Sequence, residues 1–153
     1  MPIRFACHAV LPQTPTEIAA KILDTTHWPD FDGYGPLPGI KSARFVTRTE
    51  SIVGSEIQVE NTDGSQHSER IVLWDPPHEL RLRLGDFSPP LSLLADHFEE
   101  RWEFQLRDTG CAVRRQFELH PRSLFTWPLV WMISWLLKGA VAKHLRQIQN
   151  SAA

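Results

Sequence analysis

SERIVLWDPPHELRLRLG (68–85) holds two strand-like runs and the turn that joins them. Asp75-Pro76-Pro77 closes the first run, because proline cannot donate to a ladder and Asp-Pro-Pro favours a turn. In the second run Leu80, Leu82 and Leu84 alternate with Arg81 and Arg83, the pattern of a strand with one apolar face. The first run can face either way. A two-residue loop at Asp63-Gly64 would turn Arg70, Val72 and Trp74 inward with Ile57 and Val59. A loop one residue longer would turn in His67, Glu69, Ile71 and Leu73. Both registers stay open at this stage.

The same alternation extends in both directions. IRFACHAV (3–10) reads as a half-buried strand. PQTPTEIAAKILD follows, with Ile18, Ile22 and Leu23 at helical spacing. Thr14 is its N-cap, Pro15 its first residue and Glu17 the third after the cap, which predicts a helix over about 15–25. His27-Trp28-Pro29 breaks it, and a short turn runs through Phe31. GYGPLPGIK (33–41) reads as a loop. Strands are predicted at 43–49, 55–61, 96–108 and 111–121, divided by turns at Val53-Gly54, at the loop 86–90 and at Thr109-Gly110. The last element is a long helix over about 124–149. The order predicts an α+β chain of one domain, 1–153, with about seven strands in a curved antiparallel sheet, one or two short helices after the first strand, and a long C-terminal helix packed on the sheet.

The last hairpin fixes candidate site residues. A two-residue Thr109-Gly110 loop pairs Phe104 with Arg115, Trp102 with Phe117 and Glu100 with Leu119. The shared inner face then carries Phe98, Trp102, Phe104 and Phe117, together with Glu100 and Arg115. In this register the two charges lie at opposite ends of the face and do not pair directly. An inward charge is costly unless it is paired or wet. Two readings remain: polar anchors in a partly hydrated cavity, or rim positions that snorkel to solvent.

Helix 124–149 holds Trp127, Trp131 and Trp135 at intervals of four. At 100° per residue its second half has an inner stripe of Leu137, Val141, His144, Leu145 and Ile148. Trp131, Met132 and Trp135 point to the side that carries Lys138, Lys143 and Arg146 one turn later. Something must cover them. The candidates are the Gly/Pro-rich loops 33–41 and 86–92 together with the Trp28/Phe31 turn, a second subunit, or a membrane surface.

The chain has 153 residues, a net charge of −2 and a pI near 6.4. That leaves no basic field for nucleic acid. Two cysteines are too few for a disulfide framework and suit a reducing, cytoplasmic setting. The first residues lack a signal-peptide layout, and the apolar run 124–137 is shorter than the ~20 residues a membrane span needs. The seven histidines show no metal-ligand spacing, so no metal and no cofactor are expected. His144 reads as a satisfied core histidine.

These motifs, HWPDF (27–31), IVGSEIQVEN (52–61), ERIVLWDPPHELRLRL (69–84), FEERWEF (98–104), VRRQFELHP (113–121) and the long last helix, resemble the START-like, Bet v 1-like (SRPBCC) superfamily, in particular its polyketide cyclase/dehydrase and lipid-transport group. The resemblance covers nearly the whole chain. It implies a helix-grip fold with an apolar cavity between sheet and C-terminal helix. It also implies a hydrophobic ligand such as a lipid, polyketide, quinone or aromatic compound, and leaves open whether the chain is a carrier or an enzyme. The expected walls are Trp28, Phe31, Trp74, Leu82, Phe98, Trp102, Phe104, Phe117, Trp131, Met132 and Trp135. Glu100 and Arg115 are the polar anchors and the only catalytic candidates, as acid/base and charge stabiliser. A homodimer or a membrane contact through Trp131 and Trp135 is the remaining alternative.

Overall fold

The computed structural model describes residues 1–151. Seven antiparallel strands form one sheet: β1 (Ile3–Leu11), β2 (Ile40–Thr47), β3 (Glu56–Asn61), β4 (Gln66–Asp75), β5 (Glu79–Gly85), β6 (Ala95–Leu106) and β7 (Cys111–Pro121). Their order across the sheet is β1-β7-β6-β5-β4-β3-β2. Strands β2 to β7 are therefore a meander, and β1 adds to the edge of β7. After β1 come α1 (Pro15–Leu23) and a 3-10 helix (Thr25–Asp30); α2 (Leu91–Leu94) precedes β6 and α3 (Trp127–Asn150) ends the chain.

Local chemistry explains the helix ends. The Thr14 hydroxyl accepts from the Glu17 amide at 3.2 Å, and the Glu17 carboxylate accepts from the Thr14 amide, the reciprocal cap predicted for α1. Asp24 then starts the 3-10 helix by accepting from the Thr26 amide. Loop 86–92, read from sequence as irregular, runs into the short α2, which takes up its last two residues.

Helix α3 lies in the grip of the sheet with Val130, Leu137, Val141 and Leu145 buried. Its far end is tied to the β1 end. The Gln13 side-chain amide donates to the Ile148 carbonyl, and Gln149 donates to the Val10 carbonyl, both at 2.9 Å. Gly139 does not break α3. A Cβ there would stand 2.9 Å from the Tyr34 ring, so the glycine lets Tyr34 of the 33–39 loop lie flat on the helix.

Two registers differ from the expectation. The β6–β7 loop has four residues, not two, and Leu106 pairs with Cys111. The shift is two residues, so every side chain keeps its face while its partner changes. Phe104 now pairs with Val113, Trp102 with Arg115, and Glu100 with Phe117. The cause is Gly110, at φ +81° against β1. A Cβ there would meet the Leu11 carbonyl oxygen at 1.9 Å, so the chain turns on a residue that only glycine can supply.

In β4 both sequence registers hold in part. His67, Glu69 and Ile71 face inward and are buried. A bulge between Ile71 and Leu73 then leaves Val72 exposed and sets Trp74 beside Leu80. Leu73 therefore pairs with Arg81 rather than facing the core, and Arg70 is exposed. The extra residue reverses the alternation, which no uniform two-residue period can express.

Candidate functional site

Between the concave face of the sheet and α3 lies a cavity of about 840 Å³. Rows of cross-strand neighbours build its floor. One row is Ile71, Leu82, Glu100, Phe117 and Phe5; the next is Glu69, Leu84, Phe98, Leu119 and Ile3. The middle members, Leu82, Glu100, Phe117, Leu84 and Phe98, line the cavity together with Glu69. Trp28 and Phe31 close it on the side of the 3-10 helix, Phe87, Leu91 and Leu94 on the side of α2, and Ile133, Leu137 and His144 from α3. The Trp28 indole N–H donates to the Ile22 carbonyl at 2.9 Å, which holds the ring as a wall. Exposed lining residues such as Lys21, Asp32, Asp63 and Pro90 mark where the cavity meets solvent.

A polar array stands on this apolar floor. Arg115 Nε donates to Glu100 Oε2 at 2.5 Å, and both side chains are buried. Arg115 Nη1 lies 3.0 Å from His144 Nδ1 on α3. The guanidinium carbon sits 4.4 Å from the centre of the Trp102 ring and 5.5 Å from that of Phe117. With Phe31 at 6.0 Å, three aromatic rings, one carboxylate and one imidazole thus surround a single buried cation. On β4, His67 Nε2 lies 2.9 Å from Glu69 Oε2, and Asn61 approaches His67 Nδ1 at 3.5 Å.

The sequence expectation that Glu100 and Arg115 do not pair is overturned by the two-residue slide of the hairpin. In the observed register they are diagonal neighbours on one face, and long side chains bridge that gap. Neither reaches the rim. Burial pushes the Glu100 carboxyl above its ordinary range; Arg115 opposes this and the charge of Glu69 adds to it. Burial first, and Arg115 second, hold His144 down at about 3. An arginine has no acceptor, so His144 Nδ1 must offer its lone pair, and the imidazole is neutral with its proton on Nε2.

Of the expected wall residues, the structure brings Trp28, Phe31, Leu82, Phe98, Trp102 and Phe117 to the cavity with Glu100 and Arg115. Trp74 and Phe104 pack against the core without lining the cavity. Phe104 lies two residues beyond Trp102 on β6, and Trp74 lies in the cross-strand row of Trp102 and Arg115, beyond Leu80. Trp131, Met132 and Trp135 are no cavity wall. They are 52%, 49% and 60% exposed, on the side of α3 turned away from the sheet. Loop 33–39 covers this side only around Leu136 and Gly139. Sequence reasoning missed Phe87, which packs 4.8 Å from Phe98, and His144, whose place on the inner stripe of the helix was visible but read as plain core.

Metal-ligand types gather outside the cavity. His97, Glu99 and His120 on the outer face of β6 and β7 bring their ligand atoms within 4.8 Å of one another. The two rings stack at 4.2 Å. His97 Nδ1 bonds Asp96 at 2.7 Å, and His120 Nε2 lies 2.9 Å from Glu118. This is a histidine–carboxylate network across two strands, remote from the array on the inner face.

A curved antiparallel sheet gripping a C-terminal helix over an apolar cavity defines the START-like, Bet v 1-like helix-grip fold, and solved structures share it along the chain. A START superfamily protein from Mycobacterium smegmatis superposes with a TM-score of 0.72 at 12% identity, covering 98% of this chain and 99% of that one. Norcoclaurine synthase from Thalictrum flavum, in complex with dopamine and hydroxybenzaldehyde, gives 0.69 at 12% identity, covering 100% of this chain and 89% of that one. The di-domain ARO/CYC protein BexL gives 0.71 at 11% identity, with 97% of this chain matched to 49% of that one. At such identities the likeness is one of fold. No family model matches the sequence, and no curated protein matches it. Among the described residues no helix is long and apolar enough to cross a membrane.

Proposed function

We propose that this chain binds a largely apolar, ring-bearing small molecule that carries at least one polar group. The observation that supports it is the cavity itself, about 840 Å³ in volume, with mostly apolar walls interrupted by one buried polar array. That size and composition suit a site for a drug-sized ligand, in which a few polar groups set orientation. Phe31, Leu82, Phe98, Trp102 and Phe117 would face the ligand body. Glu100 and Glu69 would accept from its hydroxyl or amine, and Arg115 would donate to a carbonyl or phenolate. Fold neighbours that handle aromatic molecules, such as the synthase in complex with dopamine and hydroxybenzaldehyde, are consistent with this class.

A second reading rests on one specific observation, the raised Glu100 carboxyl beside Arg115. A carboxyl that holds its proton nearer neutrality is suited to proton transfer, and the guanidinium to a developing enolate charge, as in a cyclase or dehydratase. The carrier reading needs only the cavity, whereas the enzyme reading needs Glu100 to turn over substrate.

Native mass spectrometry of the purified chain beside a denatured control tests the binding reading. A small molecule retained on the native chain and lost on denaturation is the expected result, and its formula gives the ligand class. A bare native chain, with no shift in melting temperature or tryptophan fluorescence across a panel of apolar aromatic and polyketide compounds, would overturn it.

A further inference from the structure

The outer side of α3 and the loop before it carry an apolar surface that the cavity does not use. Leu124 is 66% exposed, Phe125 94%, Leu129 46%, Trp131 52%, Met132 49% and Trp135 60%. The four helix residues fall within one arc of about 160° at 100° per residue, so they form one face. Leu93 of α2, 68% exposed, belongs to a segment bonded to the same loop: the Arg122 amide donates to the Leu94 carbonyl at 2.9 Å. Monomeric proteins rarely expose so many large apolar side chains together unless the patch makes a contact.

Charge selects the partner. From Leu119 to Ala153 the sequence has no Asp or Glu, and it has four cations, Arg122, Lys138, Lys143 and Arg146. The chain as a whole carries −2, so this segment stands apart from the rest. Along α3 the exposed face runs from the indoles into Lys138 and Arg146. Apolar and indole side chains bordered by cations match a lipid surface with anionic headgroups, where tryptophan sits at the interface and Lys or Arg meets phosphate. A two-fold pairing of this face with itself would offer these cations no carboxylate, because the segment contains none.

We infer that the 122–126 loop and the outer face of α3, with Phe125, Trp131, Met132 and Trp135 as the inserted residues, dock the protein on an anionic bilayer. The contact is interfacial, with the helix lying in the headgroup plane. The other side of the same elements lines the cavity: Leu91 and Leu94 flank exposed Leu93, and Ile133 follows exposed Met132. Docking would therefore bring the α2 side of the cavity to the lipid surface, the source of apolar molecules. The proposal stands on the surface alone and does not require that a ligand be found.

The test is co-sedimentation of the purified chain with vesicles of phosphatidylcholine and of phosphatidylcholine with phosphatidylglycerol, with tryptophan emission read in parallel. Binding should be at least tenfold tighter to the anionic vesicles, weaken with added salt, and shift the emission to the blue. Trp131→Ser with Trp135→Ser should reduce binding at least tenfold. Lys138→Glu with Arg146→Glu should abolish the preference for anionic lipid. All four positions are exposed, and unchanged circular dichroism shows that the variants fold. Absence of vesicle binding overturns the proposal. So does a dimer in solution that the Trp131/Trp135 variant converts to monomer, which would make the face an interface between copies. Vesicle binding by a chain that holds no small molecule and answers to none of the compound panel would leave the docking intact and sink the ligand reading instead.

Discussion

Arg115 Nη1 stands 3.0 Å from His144 Nδ1, and this contact joins the sheet floor to the gripped helix. It works only while His144 is neutral. A protonated imidazole would offer a donor to a donor and set two cations together inside the cavity. The pKa of about 3 follows from burial first and Arg115 second. The folded value lies below the ordinary 6.5, so the unfolded chain takes up the proton first as pH falls. Stability from this group is present above pH 6.5 and is lost between 6.5 and about 3, at up to about 1.4 kcal/mol per pH unit. His144→Gln keeps an acceptor for Arg115 and cannot titrate. Its chemical-denaturation stability should fall less steeply than that of the wild type between pH 6.5 and 4.5. Parallel curves would show that His144 is not held neutral.

Glu100 titrates with the opposite sign. Its folded pKa is raised, so its contribution is complete below the ordinary carboxylate value and fades as pH rises through the folded value. Above that pH the buried ion pair with Arg115 must carry the charge. Removing one partner leaves the other charge buried, typically a loss of ~3–5 kcal/mol, while replacing both with apolar groups is often near neutral. Glu100→Leu and Arg115→Met should therefore each destabilise strongly at pH 8, and the double variant should lie closer to the wild type than either single. Additive losses in a denaturation series would mean that the pair is not coupled. Glu100→Gln separates the two functional readings: a carrier keeps ligand affinity within a few-fold, whereas an enzyme loses turnover by about 10²–10⁴.

The alternating strand runs with their turn breaks and the 3.6-residue stripe of α3 were enough to read a curved antiparallel sheet packed on a long last helix, because each is a periodic pattern with a clear stop. The helix grip was what the family resemblance implied. Glu100 and Arg115 were also legible as inward charges, since a shift of two residues preserves faces. Their pairing was not legible. It depends on a four-residue loop that Gly110 forces by its approach to Leu11, a contact between residues about 100 apart. The inward turn of His67 and Glu69 depends on the β3–β4 loop, and the return of Trp74 to the inner side depends on the bulge after Ile71. The helical angle sets Trp131 and Trp135 toward the polar side of α3, while their apolar bulk suggests a cavity wall. The exposure of both residues shows that the angle was the better guide.

Gly110 allows a direct test of that register. At φ +81° a side chain is strained, and a Cβ 1.9 Å from the Leu11 carbonyl oxygen cannot be housed without moving β1. Backbone strain of this kind costs on the order of 1–3 kcal/mol before any clash. Gly110→Ala should lower the unfolding free energy by at least that much. Gly64→Ala, at φ +88° but in open space, should cost less. Equal losses at the two sites would mean that the approach of the β6–β7 loop to Leu11 is not what sets the hairpin.

Six tryptophans divide by position into a buried set and a wet pair. Trp102 is 3% exposed, and Trp28 is half-buried with its indole bonded to Ile22, whereas Trp131 and Trp135 stand in solvent. Iodide, which cannot penetrate the fold, should quench the emission only in part. Trp131→Phe with Trp135→Phe should remove most of the quenchable fraction and leave the fold unchanged. If that double variant quenches like the wild type, the outer face of α3 is covered in solution. In the double variant two of the four remaining indoles, Trp28 and Trp102, line the cavity, so a ligand that enters should change the emission more, relative to total signal, than in the wild type. An added aromatic ligand that alters only wild-type emission would place its contact on the outer face of the helix rather than beside Trp28 and Trp102.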